Sequence, residues 1–153
     1  MDRSCTRIAV QQQAESRKST VSSCEESRVL RLLYVDDDAF VRSIAKRILE
    51  RESSIIVTAV ANGHEALSVA QSHSFDGVLL DVIMPGMEGP EVFRALRALP
   101  RAKETSIVFL TARTQASEVS RLLALGAAGV IPKPFKSDTL VSEVRALFAP
   151  AVT

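Results

Sequence analysis

The strongest constraint on how this chain can fold is an alternation. From residue 29 onward, five short apolar runs, VLRLLYV (29–35), SIIVTAV (54–60), DGVLL (76–80), SIVFLTA (106–112) and AGVI (128–131), are separated by stretches with helical periodicity. Runs this short, bounded by polar residues and rich in Val, Ile and Leu, suit buried strands better than helices. Between them, Val41, Ile44, Ala45, Ile48 and Leu49 share one face of a helix, and Leu140, Val144, Leu147 and Phe148 share another. Asn62 followed by Glu65 has the form of a capping box, and Pro90 suits a first helical turn, where its missing N–H costs nothing. Strands that alternate with helices imply right-handed βαβ crossovers and a parallel sheet covered on both faces. The expected fold is α/β and doubly wound, with five parallel strands and five helices.

Composition sets the surroundings of that domain. The 153 residues, 46% hydrophobic and 24% charged, allow one globular domain with a sizeable core. Residues 1–28, including QQQAESRKSTVSSCEES, are polar and aperiodic and read as a flexible tail. They hold five Lys/Arg against four Asp/Glu, so the net charge of +1 arises there and residues 29–153 are balanced. That balance speaks against nucleic-acid binding. No run approaches a membrane span, and the opening residues lack the apolar core of a signal peptide, so a cytoplasmic location is expected. Both cysteines, Cys5 and Cys24, fall in the tail and are read as free thiols.

In open α/β sheets, side chains at the carboxyl ends of the strands converge on a crevice at the topological switch point. The first strand ends in Asp36, Asp37 and Asp38, the third in Asp81 and the fourth in Thr111, and Lys133 follows the fifth. Asp38 directly precedes the first helix and is read as its N-cap. Two carboxylates about 4 Å apart repel by about 4 kcal/mol at an effective dielectric near 20. Asp36, Asp37 and Asp81 against Lys133 alone leave a charge of −2, which suits a hard divalent cation, Mg²⁺ or in its place Mn²⁺, held by oxygen ligands. A metal, a carboxylate nucleophile, a hydroxyl donor and a lysine are the parts needed to transfer a phosphoryl group to an aspartate. His64 and His73 lack metal-ligand spacing and are read as solvated surface. Met84 and Met87 are read as loop packing.

The fragments VDDD, LLDVIMPGMEG, FLTA and VIPKPF, in this order across residues 29–149, resemble the receiver domains of two-component response regulators. The steps of 44 residues from Asp37 to Asp81, 30 to Thr111 and 22 to Lys133 are similar to that family's spacing. The resemblance implies a flavodoxin-like strand order 2-1-3-4-5, an order for which a chemotaxis regulator is a standard example. It implies that Asp81 accepts a phosphoryl group from a phosphohistidine. It makes Asp37, Asp81 and the Ile83 carbonyl direct Mg²⁺ ligands, with Asp36 reaching the metal through water, and gives Thr111 and Lys133 the phosphoryl oxygens. It also implies a cis peptide between Lys133 and Pro134, with Ile131–Pro132 trans. The donor would be a sensor histidine kinase or a histidine-phosphotransfer protein, docking on the first helix and the loop after the fifth strand, where Phe40 lies beside the site and Arg42, Lys46 and Arg47 face outward.

Residues 150–153 are too few to carry an output domain, so a stand-alone receiver that signals by protein contact is expected. Two alternatives share the fold: a phosphorelay shuttle to a histidine-phosphotransfer protein, and a binding module that works without phosphorylation. The second is disfavoured because all five site side chains are present. A haloacid-dehalogenase-like phosphatase also uses an aspartate nucleophile with Mg²⁺, but it carries D-x-D after the first strand and a cap insertion, and the short loops here leave room for none. Three positions mark this chain within the family pattern. Val130 stands where many receivers carry Tyr or Phe, and Ile83 and Arg113 stand where side chains influence water access to the phosphoryl group.

Overall fold

The structure is a computed structural model that describes residues 29–148. The tail at 1–28, with both cysteines, and residues 149–153 lie outside the described residues. The elements in chain order are β1 (Leu30–Val35), α1 (Ala39–Leu49), β2 (Ile55–Val60), α2 (Gly63–Ser72), β3 (Gly77–Asp81), α3 (Gly89–Arg97), β4 (Ser106–Thr111), α4 (Ala116–Ala124), β5 (Gly129–Pro132) and α5 (Ser137–Phe148). Each strand falls on one of the five apolar runs. All neighbours pair in parallel, in the order β2-β1-β3-β4-β5.

Period-two alternation along the strands divides the core into two layers. Leu33, Val35, Val78, Leu80, Ile107 and Phe109 pack beneath α2, α3 and α4, meeting Ala66, Val92, Phe93, Leu96 and Leu122. Leu32, Tyr34, Leu79, Val108, Leu110 and Ile131 pack beneath α1 and α5, meeting Ala45, Leu49, Leu140 and Val144. Each large apolar side chain wholly removed from water contributes about 1.5–3 kcal/mol, and the central strands are buried on both faces, which is why they read as unbroken apolar runs. Among the described residues, no helix is long and apolar enough to cross a membrane.

The caps follow from residue chemistry. Asp38 accepts hydrogen bonds from Phe40 N and Val41 N and so opens α1. Asn62 caps Glu65 N at 2.9 Å, but Glu65 returns to Ala61 N rather than to Asn62 N, so the box closes one residue earlier than its pattern implies. Pro90 sits in the first turn of α3, and Glu88 N–H donates to Glu91. The expected outward basic face of α1 needs correction. Arg42 is half-buried and donates to the Asp36 carbonyl at 2.9 Å, and Lys46 donates to the Val57 carbonyl at 2.7 Å and to Glu50 at 3.1 Å. The Lys46 side chain nonetheless stays 44% exposed, and Arg47 and Phe40, the latter 73% exposed, remain at the surface.

The start of α3 is pressed against the end of β3. Gly89 N–H donates to the Val82 carbonyl at 2.8 Å, and a Cβ on Gly89 would stand 2.9 Å from Val82 Cα and closer still to the Asp81 carbonyl. Both neighbours are backbone and cannot rotate away. Gly89→Ala is therefore expected to lower stability by about 1–3 kcal/mol, the usual cost of overpacking, as read by urea unfolding.

Candidate functional site

The topology carries distant residues to one rim. β1 and β2 run to one side of the sheet, β3 and β4 to the other, and the crevice opens between the carboxyl ends of β1 and β3. Oxygens of Asp36, Asp37 and Asp81 lie within 4.8 Å of one another, with Asp36 and Asp81 buried and Asp37 exposed. Lys133 Nζ bridges the two buried carboxylates, 3.2 Å from Asp36 Oδ2 and 3.3 Å from Asp81 Oδ1. The Lys133–Pro134 peptide is cis.

Thr111 is buried one position past Leu110, the register partner of Asp81. Its Oγ1 accepts from Arg113 N at 2.9 Å, and its carbonyl accepts from Lys133 N at 2.8 Å, so it joins the site through the backbone. Ile83, two residues past Asp81, is half-exposed. Met84 and Met87 pack in the layer under α2–α4, and both histidines lie on exposed surface.

Two contributors are not expected at the site from sequence: Tyr34 reads only as part of a strand, and Arg42 as the outer face of α1. Tyr34 donates its hydroxyl to Asp36 Oδ2 at 3.1 Å, and the Arg42 guanidinium holds the Asp36 carbonyl. The signal for Tyr34 was present in the alternation, since residues 34 and 36 fall on the same face of an extended chain.

The electrostatics follow from burial. Removal from water raises the Asp81 carboxyl to about 6; the Lys133 charge pulls it back and the Asp36 charge raises it further. Burial alone would lower Lys133, but the carboxylates of Asp81 and Asp36 outweigh it and hold the ammonium above its ordinary value. Burial, with the Asp36 charge next, drives the Tyr34 phenol far above its usual range. The donor set is all oxygen with an excess of two negative charges, the chemistry of a hard-cation site.

A doubly wound parallel sheet with an acidic, lysine-bridged crevice at its switch point defines a receiver-type α/β domain. The chain belongs to the response regulator receiver domain family, whose match spans residues 32–145. It is 39% identical over 119 residues to the transcriptional regulatory protein CpxR of Escherichia coli K12, covering 76% of this chain and 48% of CpxR. It is 40% identical over 118 residues to the response regulator MprA of Mycolicibacterium vanbaalenii, covering 77% of this chain and 50% of MprA. The chain thus spans about half the length of these relatives. Among solved structures, the chemotaxis protein CheY4 of Vibrio cholerae superposes with a TM-score of 0.73 at 34% identity, over 78% of this chain and 98% of CheY4. The receiver domain of sensor histidine kinase PA1611 from Pseudomonas aeruginosa PAO1, at TM-score 0.71 and 25% identity, covers 80% of this chain and 99% of that domain. That structure holds a magnesium ion coordinated in its active site cleft.

The raised Asp81 carboxyl has a consequence for stability. Between its ordinary value near 4 and its folded value of about 6, the folded state binds more protons than the unfolded state. This group's contribution therefore falls as pH rises through that window. Asp81→Asn removes the penalty. In metal-free buffer the Asn variant is expected to be more stable than the parent by about 1–2 kcal/mol at pH 7.5, with the difference vanishing below about pH 4. Unfolding curves across that range read it directly.

Proposed function

We propose that this chain is a cytoplasmic phosphoacceptor that takes a phosphoryl group from a phosphohistidine onto Asp81 and passes the signal on by protein contact. The observation that carries this reading is the convergence of Asp36, Asp37 and Asp81 within 4.8 Å, with Lys133 between the two buried carboxylates. An Asp81 oxygen attacks phosphorus, the O–P bond forms as the histidine N–P bond breaks, and the imidazole leaves with the electron pair. The Lys133 ammonium, already 3.3 Å from Asp81 Oδ1, pairs with the phosphoryl oxygens, and the Thr111 hydroxyl donates to one of them. Asp37, Asp81 and the Ile83 carbonyl would hold Mg²⁺, or Mn²⁺ in its place, with Asp36 outside the direct ligand set, and the bound ion would supply charge neutralisation for the transferring group. The domain acts on no substrate but its own phosphoryl group.

The donor is proposed to be a sensor histidine kinase or a histidine-phosphotransfer protein, and Phe40, 73% exposed at the start of α1, is an apolar contact for it. A relay role, in which a histidine-phosphotransfer protein takes the group onward, is favoured by Val130. That side chain is partly buried in the layer under α2–α4 and has no aromatic ring to swing.

Incubation with Mg²⁺ and acetyl phosphate is expected to label the parent and leave Asp81→Asn unlabelled, as followed by intact mass. Equal labelling of the Asn variant would remove Asp81 from the role.

The phosphorylated form is expected to be long-lived. In-line hydrolysis needs an oriented water; the half-exposed Ile83 has no group that can hold one, and a bulky, exposed Arg113 two residues past Thr111 is proposed to screen the path. Replacing Ile83 with Asn and Arg113 with Glu is expected to shorten the half-life by about tenfold, the effect of about 1.4 kcal/mol on the barrier. Decay of the labelled protein after removal of the donor measures it, and an unchanged or longer half-life contradicts the argument.

A further inference from the structure

Tyr34 is the chain's single tyrosine, wholly buried in β1 within the layer under α1 and α5. A phenylalanine would fill the same space. The hydroxyl is a liability in an apolar layer unless it finds a partner, and its partner is Asp36 Oδ2 at 3.1 Å.

Asp36 has no exposure to water, and donors from separate segments hold it. Its Oδ1 takes the Asp38 N–H at 3.0 Å, its Oδ2 takes the Tyr34 hydroxyl at 3.1 Å and Lys133 Nζ at 3.2 Å, and Arg42 holds its carbonyl at 2.9 Å. The sharing of Oδ2 matters most. Lys133 lies almost equally far from Asp36 and Asp81, at 3.2 and 3.3 Å. If Lys133 were the sole donor on Oδ2, the buried Asp36 charge would draw the ammonium onto itself, because a charge left short of donors in a dry site is costly. Tyr34 supplies the other donor and leaves Lys133 free to serve Asp81.

We propose that Tyr34 is a positioning residue for phosphoryl transfer: by hydrogen-bonding Asp36 Oδ2 from within the core, it keeps Lys133 poised between Asp36 and Asp81. This role rests on the phosphoacceptor reading of Asp81. Tyr34 acts through Asp36 and Lys133 and touches neither the phosphoryl group nor the metal.

The test is a double-mutant cycle of Tyr34→Phe and Asp36→Asn, read by the initial rate of acetyl phosphate labelling at saturating Mg²⁺, by Mg²⁺ affinity from calorimetry, and by thermal unfolding. Loss of one hydrogen bond to a charged group is expected to slow labelling of Tyr34→Phe by about tenfold. The same variant should keep its Mg²⁺ affinity within about twofold, since Tyr34 reaches only Asp36, which stands outside the proposed direct ligand set. In the Asp36→Asn background, Tyr34→Phe should slow labelling no further, because two residues that act through one contact are not additive. A residue that merely fills the core would move the melting temperature and leave this split and this coupling at zero. Labelling of Tyr34→Phe at the parent's rate, or equal slowing in both backgrounds, overturns the role and leaves Asp81 as acceptor. A parent that takes no label at Asp81 overturns the phosphoacceptor reading and this role with it.

Discussion

The Lys133 ammonium, set between two buried carboxylates, is the contact on which the rest of this site depends. Asp36 and Asp81 stand at the mouth of the sheet with almost no access to water, a position in which a charge is costly unless it is paired. One cation cannot satisfy both charges fully. The residue of that imbalance is visible in Asp81, whose carboxyl rises to about 6 despite the lysine. The site is thus poised: negative enough to attract a cation or an ammonium, and dry enough that any charge entering it is felt strongly.

Such an imbalance requires a scaffold that holds it. Asp36 and Lys133 are 97 positions apart in sequence and meet only because β1 lies inside the sheet while β5 lies at its edge, with all strands pointing the same way. Parallel pairing sends every carboxyl end to one rim, and the reversal of winding between β1 and β3 opens the crevice there. Burial of the central strands on both faces fixes their register, and Asp81 ends a strand in which every residue is buried. The apolar core and the acidic mouth are consecutive parts of the same strands.

Much of this was legible in the sequence because two strong regularities coincide. Short apolar runs between amphipathic helices gave the strands to within a residue or two, and the rule for strand ends then pointed to Asp36, Asp37, Asp81, Thr111 and Lys133 without any distance being known. What escaped was the reach of long side chains. Tyr34 sits in an apolar run and reads as core, so nothing in its position announces that its hydroxyl extends to Asp36. Arg42 reads as outer helix surface, yet side chains in a helix lean toward the N-terminus, and from the first turn of α1 that lean carries the guanidinium to the Asp36 carbonyl. Glu65 follows the same logic, passing Asn62 to reach Ala61. Periodicity assigns a residue to a face, but the placement of a terminal polar group four or five bonds away depends on which partner remains unsatisfied.

The route by which a change in the crevice leaves it is narrow and can be followed through two bonds. A hydroxyl offers one donor and two acceptor sites. Thr111 spends an acceptor on Arg113 N–H at 2.9 Å, and among the described residues no acceptor takes its proton. An acceptor that enters the crevice and takes this proton need not break the Arg113 bond, so movement of Thr111 carries the Arg113 backbone with it. The Thr111 carbonyl is tied at 2.8 Å to Lys133 N–H, so the same displacement strains the strand end that aims the ammonium. Thr111 pairs with Pro132 on β5, and two residues earlier on the same strand stands Val130, β-branched and stiff at χ1, partly buried against the layer under α2–α4. It has no alternative rotamer large enough to fill or vacate a ring-sized space, and well-packed interiors shift between discrete arrangements rather than deform smoothly. Residues 112–116, which lead from Thr111 into α4, are by contrast all exposed.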